Sequence, residues 1–285
     1  MIKGIVSSSV SKYLPATAAY NNAVIAAGGS LSSAQLHYIN IFIKGLQDNG
    51  LWADLLFFYP FLSKTSLTLA AEITHSINMR NPGVYTLAYL PSSKPANHAS
   101  TYYTIGGGST VYQIGNTGLI PSGNWSPNDV SWGAYVKAGG STGSVFGVRN
   151  SASSTSTTPT FTLNNYSTLG SPFASAYSYT GNGSVAGATL AAFYGYSYVV
   201  RRSVSDLSIY KNAVLNAIKT ATTAQGSQPL YPIYVGGYNN GNVSVTQPTS
   251  TKNICDVWVA KRGFTGGELS IFYALELSMN NNLGR

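Results

Sequence analysis

The chain has 285 residues, of which 44% are apolar and only 8% charged, against about a quarter charged in ordinary soluble proteins. Apolar content at this level excludes disorder, and the scarcity of charge implies a surface of hydroxyls, amides and phenols. The net charge of +8 reflects few acids (8) more than many bases (16); the bases are scattered, which argues against a nucleic-acid reader and for weak attraction to anionic surfaces.

Residues 1–16 are a Ser-rich lead without the continuous apolar core of a secretory signal, so none is expected. Residues 17–29 and 32–49 read as two helices. The first ends at Gly28-Gly29. The second opens with a capping box, Ser32 and Gln35, carries Leu36, Ile39, Ile43 and Leu46 on one face, and stops at Asn49-Gly50. Tyr38, Ile41 and Phe42 add apolar surface off that stripe, the pattern of a helix with more than one neighbour. The block "LWADLLFFYPFL" is too short to span a bilayer and contains Asp54 and Pro60, so no membrane insertion is expected. It reads as a plug that docks the helices on the rest of the protein. Residues 1–66 are therefore expected to form a helical attachment and assembly segment, and residues 67–285 a separate β-sandwich.

From residue 67 the texture changes to short segments rich in β-branched and aromatic residues, such as "VYTLAYL", "VSWGAYV", "YSYVVRRS" and "ICDVWVAKR", separated by Gly, Asn, Ser and Pro. Asn182-Gly183 and Asn240-Gly241 are hairpin dipeptides. Short strands at this spacing, with no intervening helices, indicate an antiparallel sandwich. The polar stretch 149–160 reads as an exposed loop. The single cysteine, Cys255, permits no intrachain disulfide and reads as a buried apolar residue. A second capping box, Thr265 and Glu268, opens a last helix with Leu269, Phe272 and Met279 on one face and Tyr273 and Leu275 beside it.

Three stretches carry a resemblance: "YNNAVIAAGGSLSSAQLHYINIFIKGLQDNGLWADLLFFYPF", "TGLIPSGNWSPNDVSWGAYV", and the run from "SDLSIYKNAV" through "LYPIYVGGYNNG" to "DVWVAKRGFTGGELSIFYALE". In this order they resemble the concanavalin-like (laminin-G-like) jelly rolls of virion proteins from tailed bacteriophages. The resemblance implies a mainly β fold, an antiparallel jelly-roll sandwich with an N-terminal helical segment and a C-terminal capping helix that covers one end of the sandwich and protects a sheet edge. It implies a non-enzymatic virion component, such as a tail fibre, head fibre or decoration protein. Its helical segment would join other virion proteins or sister copies in a homo-oligomer, and its sandwich would face host-surface glycan or protein. The protein would be made in the host cytoplasm and reside on the particle. The alternative is a carbohydrate-active enzyme or cellular lectin on the same fold.

Glycoside hydrolysis would need two neighbouring carboxylates. No two of the eight acids are near neighbours on an expected strand. Capping and solvation account for Glu268 and Glu276, and a pair would have to be assembled from distant strands, for example Asp129 with Asp206. The G-x-S-x-G match at 139–143 lacks a following helix or histidine. His37, His75 and His98 lie in unrelated segments without zinc-ligand spacing, His37 as a structural residue of its helix. No catalytic residue, metal or cofactor is expected. The ligand-binding candidates are Trp125 and Tyr238, whose rings suit sugar faces, and Asn239 and Asn240, whose amides suit sugar hydroxyls. Tyr194, Tyr196 and Tyr198 alternate as one face of a strand.

Overall fold

The computed structural model describes residues 12–64, 69–90, 98–105, 114–139, 144–151, 159–165, 172–176, 184–186, 194–220, 227–242, 244–246 and 251–285. Helix α1 (Pro15–Ala26) begins on a proline, whose fixed φ suits a first helical turn. Helix α2 (Ser33–Asp48) has the expected box: Gln35 N donates to Ser32 Oγ at 3.1 Å, and Ser32 N donates to Gln35 Oε1 at 2.8 Å. A short 3-10 turn, Trp52–Asp54, leads into β1 (Leu55–Tyr59). The apolar plug is thus itself a sheet strand. A helix that the strand-like texture did not announce, α3 (Leu69–Ser76), follows.

Two sheets make the sandwich. The seven-stranded sheet runs β1, β16 (Lys252–Ala260), β5 (Val130–Gly139), β10 (Gly195–Ser203), β11 (Asp206–Lys211) and β12 (Val214–Lys219), with β3 (Tyr103–Ile105) also on β16. The nine-stranded sheet runs β2 (Ala88–Leu90), β4 (Ile114–Asn116), β13 (Tyr234–Val235), β6 (Ser144–Arg149), β7 (Thr160–Asn165), β8 (Pro172–Ala176) and β9 (Ser184–Ala186). Strand β14 (Tyr238–Asn240) joins β6 and β15 (Ser244–Thr246). Pairings are antiparallel except β14 with β6, which is parallel. The Asn240-Gly241 signal marks the β14–β15 turn, where Gly241 and Asn242 take φ of +66° and +59°. Asn182-Gly183 and most of the 149–160 loop lie outside the described residues.

Alternation along the strands divides the side chains of the seven-stranded sheet between two cores. Inward, Phe57, Tyr59, Trp132, Val199, Ile209, Val257 and Val259 meet Phe146, Val148, Phe161, Leu163 and Val235 of the opposite sheet. Outward, Phe58, Tyr196, Tyr198, Val200, Tyr210, Trp258 and Ala260 meet helices α1, α2 and α4 (Gly266–Asn282). Residues of 1–66 therefore share both cores. Helix α4 begins with its expected box, Glu268 N donating to Thr265 Oγ1 at 3.2 Å and Thr265 N to Glu268 Oε2 at 2.7 Å. Arg262 bridges this cap to the plug, reaching Glu268 at 2.7 Å and Asp54 at 2.5 Å. The guanidinium, helped by the capping bonds, lowers the Glu268 carboxyl to about 2. The helix does not cap a sandwich end. It packs on the outer face, where Tyr196, Tyr198 and Val200 of β10 and Trp258 and Ala260 of β16 need cover.

Gly133 fixes where α4 docks. It is flanked by Tyr198 on β10 and Trp258 on β16, and a Cβ there would lie 2.5 Å from Tyr198 and 2.9 Å from Trp258. The two rings lean over the glycine, and Phe272 of α4 sits on them, 4.5 Å from Trp258 and 6.1 Å from Tyr198 between ring centroids. Phe42 of α2 completes the contact at 5.9 Å. No described helix is long and apolar enough to cross a membrane.

These contacts set an order of stabilities. Truncating the buried Phe272 to Ala should cost about 3–5 kcal/mol, Gly133→Ala about 1–3 kcal/mol by overpacking, and Thr265→Ala about 1 kcal/mol through loss of the cap. Urea denaturation of the three variants measures this order; a Phe272→Ala protein with the wild-type midpoint would show that α4 does not rest on the sheet.

Candidate functional site

The parallel pairing of β14 with β6 sets Asn239 opposite Val148 and Asn240 opposite Arg149. The Arg149 side chain donates from Nε to Asn240 Oδ1, and its guanidinium lies over the Tyr238 ring, 5.0 Å from the centroid. Asn239 is buried: its Nδ2 donates to Pro232 O at 3.1 Å, and its Oδ1 accepts from Asn242 N at 2.8 Å. Residues 228–232 continue this end of the sandwich. Leu230 N donates to Asn150 Oδ1 at 2.7 Å, and Gln228 Nε2 donates to Trp125 O at 2.8 Å.

All four sequence candidates thus lie along one hydrogen-bonded end of the sandwich, but they do not present four free side chains. Trp125 is a core residue, 8% exposed and 5.3 Å from Phe161 between ring centroids. Asn239 and Asn240 spend their amides on the turn and on Arg149, because a buried amide must be hydrogen-bonded within the protein. Tyr238 alone is half-buried. Exposed Asn242, Ile120 and Leu230 lie along the same end, and nothing in the sequence patterning marks them.

The two best-buried acids form a second cluster that the sequence reading misses. Glu276 is not solvated; it is buried under α4 and faces Asp256 of β16. Tyr198 OH donates to Glu276 Oε2. Asp256 Oδ1 accepts from Tyr135 N at 3.1 Å and Oδ2 from Asn280 Nδ2 at 3.1 Å, while the same amide reaches Tyr196 OH at 3.0 Å. Glu276 Oε1 meets no donor among the described residues. The Glu276 and Asp256 carboxyls are hydrogen-bonded to each other, which requires a proton on one of them. Burial and the Asp256 charge hold the Glu276 carboxyl well above the usual carboxylate range. Arg285 closes the network. It reaches Asn280 Oδ1 at 2.8 Å and Thr101 O at 2.8 Å, and donates to the carbonyls of Pro60 and Cys255. Its guanidinium fills the gap on the β16 edge where β1 pairing ends at Val257 and β3 pairing ends at Ile254. The signal was present: Glu276 follows Leu269 and Phe272 at helical spacing, and Asp256 interrupts an apolar run.

The other acids have separate partners. Asp129 accepts from Gly263 N at 2.6 Å, and Asp206 pairs with Arg202 at 2.6 Å and with Ser208 at 2.7 Å. His37 is exposed on α2, whereas His75 and His98 meet in the interior with Nδ1 atoms 2.8 Å apart. Among the described residues no three His, Cys, Asp or Glu side chains gather to hold a metal ion.

No family model and no curated protein matches the chain. Solved structures match its fold. A structure reported under the statement that cell entry of botulinum neurotoxin type C depends on interaction with two ganglioside molecules aligns with a TM-score of 0.51 at 9% identity, over 79% of this chain and 52% of that one. Trypanosoma rangeli sialidase in complex with 2,3-difluorosialic acid aligns at 0.51 and 13% identity, over 80% of this chain and 33% of that one. A mutant of that sialidase displaying trans-sialidase activity aligns at 0.52 and 11% identity, over 86% and 39%. The sandwich is a concanavalin-like jelly roll. The chain spans about half or less of the length of these proteins, and at such identity the likeness shows the fold alone.

The shared proton has a signed consequence. An acid whose folded pKa is raised stabilises the fold fully below its ordinary value, about 4.3, and loses that contribution as pH rises toward the raised value. Glu276→Gln keeps a donor to Asp256 and removes the titration, so its stability relative to wild type should increase from pH 5 to pH 8.5. Glu276→Ala should cost about 1–3 kcal/mol by leaving the Tyr198 hydroxyl without its acceptor and Asp256 without the shared proton. Urea unfolding at the two pH values reads both effects; a pH-independent difference between wild type and Glu276→Gln would rule out proton sharing.

Proposed function

We propose that the protein is a non-enzymatic component of a tailed-phage virion whose sandwich faces outward and binds a host-surface glycan. The observation that carries the non-enzymatic part is the placement of the acids. The two carboxyls that come together, Asp256 and Glu276, are sealed beneath α4, while Asp54, Asp129, Asp206 and Glu268 are tied to cations, hydroxyls or backbone amides. A two-carboxylate hydrolytic pair needs both groups open to substrate and water. The glycan part is supported by the ganglioside dependence stated for the type C neurotoxin and by the sialic-acid analogue on the sialidase. The virion part, with its localisation to the particle, rests on the resemblance carried by the three sequence stretches.

The ligand would meet the end of the sandwich that carries Tyr238. The Arg149 guanidinium stacks on that ring and orients it, and Asn242 at the adjoining turn supplies an amide. Sugar binding of this kind uses a flat ring against the apolar sugar face and amides to the hydroxyls. Assembly with sister copies or other virion proteins would use the outer helices, where Ile25 and Ile41 are 59% and 44% exposed. Because β1 and both cores depend on residues 1–66, assembly is tested by point changes; deletion would remove part of the fold.

On a glycan array containing sialosides and host capsule, Tyr238→Ala should weaken the binding seen for wild type at least about tenfold, the scale of one lost ring contact, with its urea midpoint unchanged. No binding by wild type, or binding indifferent to Tyr238→Ala, removes this end as the site. Turnover of a sialoside or β-glucan that disappears in Asp129→Asn or Asp206→Asn protein would favour a carbohydrate-active enzyme on the same fold. Ile25→Glu with Ile41→Glu should leave a folded protein that no longer enters particles; incorporation at wild-type occupancy would refute the helical attachment.

A further inference from the structure

His75, at the end of α3, and His98, which bridges to Tyr103 at the start of β3, meet with their Nδ1 atoms 2.8 Å apart. Both side chains are buried. Aromatic rings surround the pair: Phe61 lies 5.6 Å from His75, Tyr103 stacks on His98 at 4.8 Å, and Tyr89 meets His98 edge-on at 4.7 Å. Neither Nε2 atom has a hydrogen-bond partner among the described residues. The titratable groups near this corner are the phenols of Tyr20, Tyr59, Tyr89 and Tyr103, the Glu72 carboxyl one turn earlier on α3, and the Arg285 guanidinium.

One ring donates its Nδ1–H to the Nδ1 lone pair of the other, so the accepting ring must be neutral with its proton on Nε2. A further proton on the accepting ring sets two N–H groups against each other, and one on the donating ring's Nε2 creates a buried cation whose new N–H has no acceptor among the described residues. Burial and the Arg285 charge push His75 well below the usual imidazole range, and burial pushes His98 down to about 3.

We propose that the His75–His98 pair is an acid-released latch that holds α3 against residues 98–105 near neutral pH and lets this corner open in mild acid. The corner is also held by Ser30 N to Thr74 Oγ1 at 3.3 Å, Leu87 N to Ser76 O and Ser63 N to Ser100 O at 2.9 Å each, Arg285 Nε to Thr101 O at 2.8 Å, and the pairing of β3 with β16. Opening would bring the rings of Phe61, Tyr89 and Tyr103 toward solvent, giving an aromatic surface that the closed protein hides. The sign follows from linkage. An opened imidazole takes up a proton below its ordinary value, about 6.5, and the closed one does not. Opening at pH 5 is therefore favoured by about 30-fold per histidine and about 1000-fold for the pair.

Amide hydrogen exchange of the full chain at pH 7 and pH 5, corrected for intrinsic exchange rates, tests the latch. Protection of α3 and residues 98–105 should fall by about 100- to 1000-fold relative to β5 and β10. His98→Phe keeps a ring on Tyr103 and should reduce that fall to about 30-fold or less. Unchanged relative protection at pH 5, or a His98→Phe protein with the full wild-type fall, would overturn the proposal. Should His98→Phe not fold, ¹⁵N imidazole spectra of the wild type at pH 6 decide. One Nδ1–H and one Nε2–H neutral tautomer are expected, and a charged ring or two Nε2–H tautomers would overturn the latch.

Discussion

Strand β16 is paired along both edges and covered on both faces, and the rest of the molecule is arranged to complete that enclosure. Strand β5 lies along one edge for most of its length, while β1 and β3 divide the other. Its inward residues fill the inter-sheet core, and its outward Trp258 and Ala260 lie beneath helices. A strand so enclosed leaves no polar group to water, so every donor and acceptor on it needs a partner within the protein. Arg285 answers that need at the gap between β1 and β3, where the Cys255 carbonyl has no ladder partner on that side.

The same enclosure explains why carboxyls appear in the outer core. Asp256 follows the bulge that interrupts β16 pairing between Ile254 and Asp256, and the irregular register frees Tyr135 N for its side chain. Once Asp256 is buried, α4 must supply a neutral donor. Asn280 is one, and a protonated Glu276 is another. A pair of charged carboxylates at this depth would cost far more than their hydrogen bonds return. One shared proton removes the second charge and makes the docking of α4 specific, since a rotation of the helix by one residue would strand Asp256, Tyr198 and Asn280 together.

Features written in short stretches of sequence are legible, and features assembled from distant stretches are not. The boxes at Ser32–Gln35 and Thr265–Glu268 are three-residue patterns with one geometric reading, and both form. Leu269, Phe272 and Met279 declare the buried face of α4, and Trp258 meets Phe272 within "CDVWVA". The same helical period places Glu276 on that face, but an acid on a helix reads as solvated until its partner is known, and Asp256 lies twenty residues earlier. His75 and His98 are concealed in the same way, by separation along the chain. Helix α3 is hidden by its brevity. The β11–β12 turn uses Asn212-Ala213, with φ of +49° and +62°, where the expected signal is a glycine. Trp125 and the two asparagines read as ligand groups because large rings and amides near turns often are; here the core and the turn claim them first.

Covering one face of the seven-stranded sheet with helices also limits where a partner can be met. Trp132, Trp258, Tyr59, Tyr103 and Tyr198 of that sheet are all fully buried, so much of the aromatic richness of the sequence is structural. What remains outside is poor in charge. Arg262 is occupied between Asp54 and Glu268, Arg202 by Asp206, and Lys44 by Asp48. Recognition by such a surface depends on ring faces, amides and hydroxyls, which lose little strength as salt rises because screening acts on separated charges.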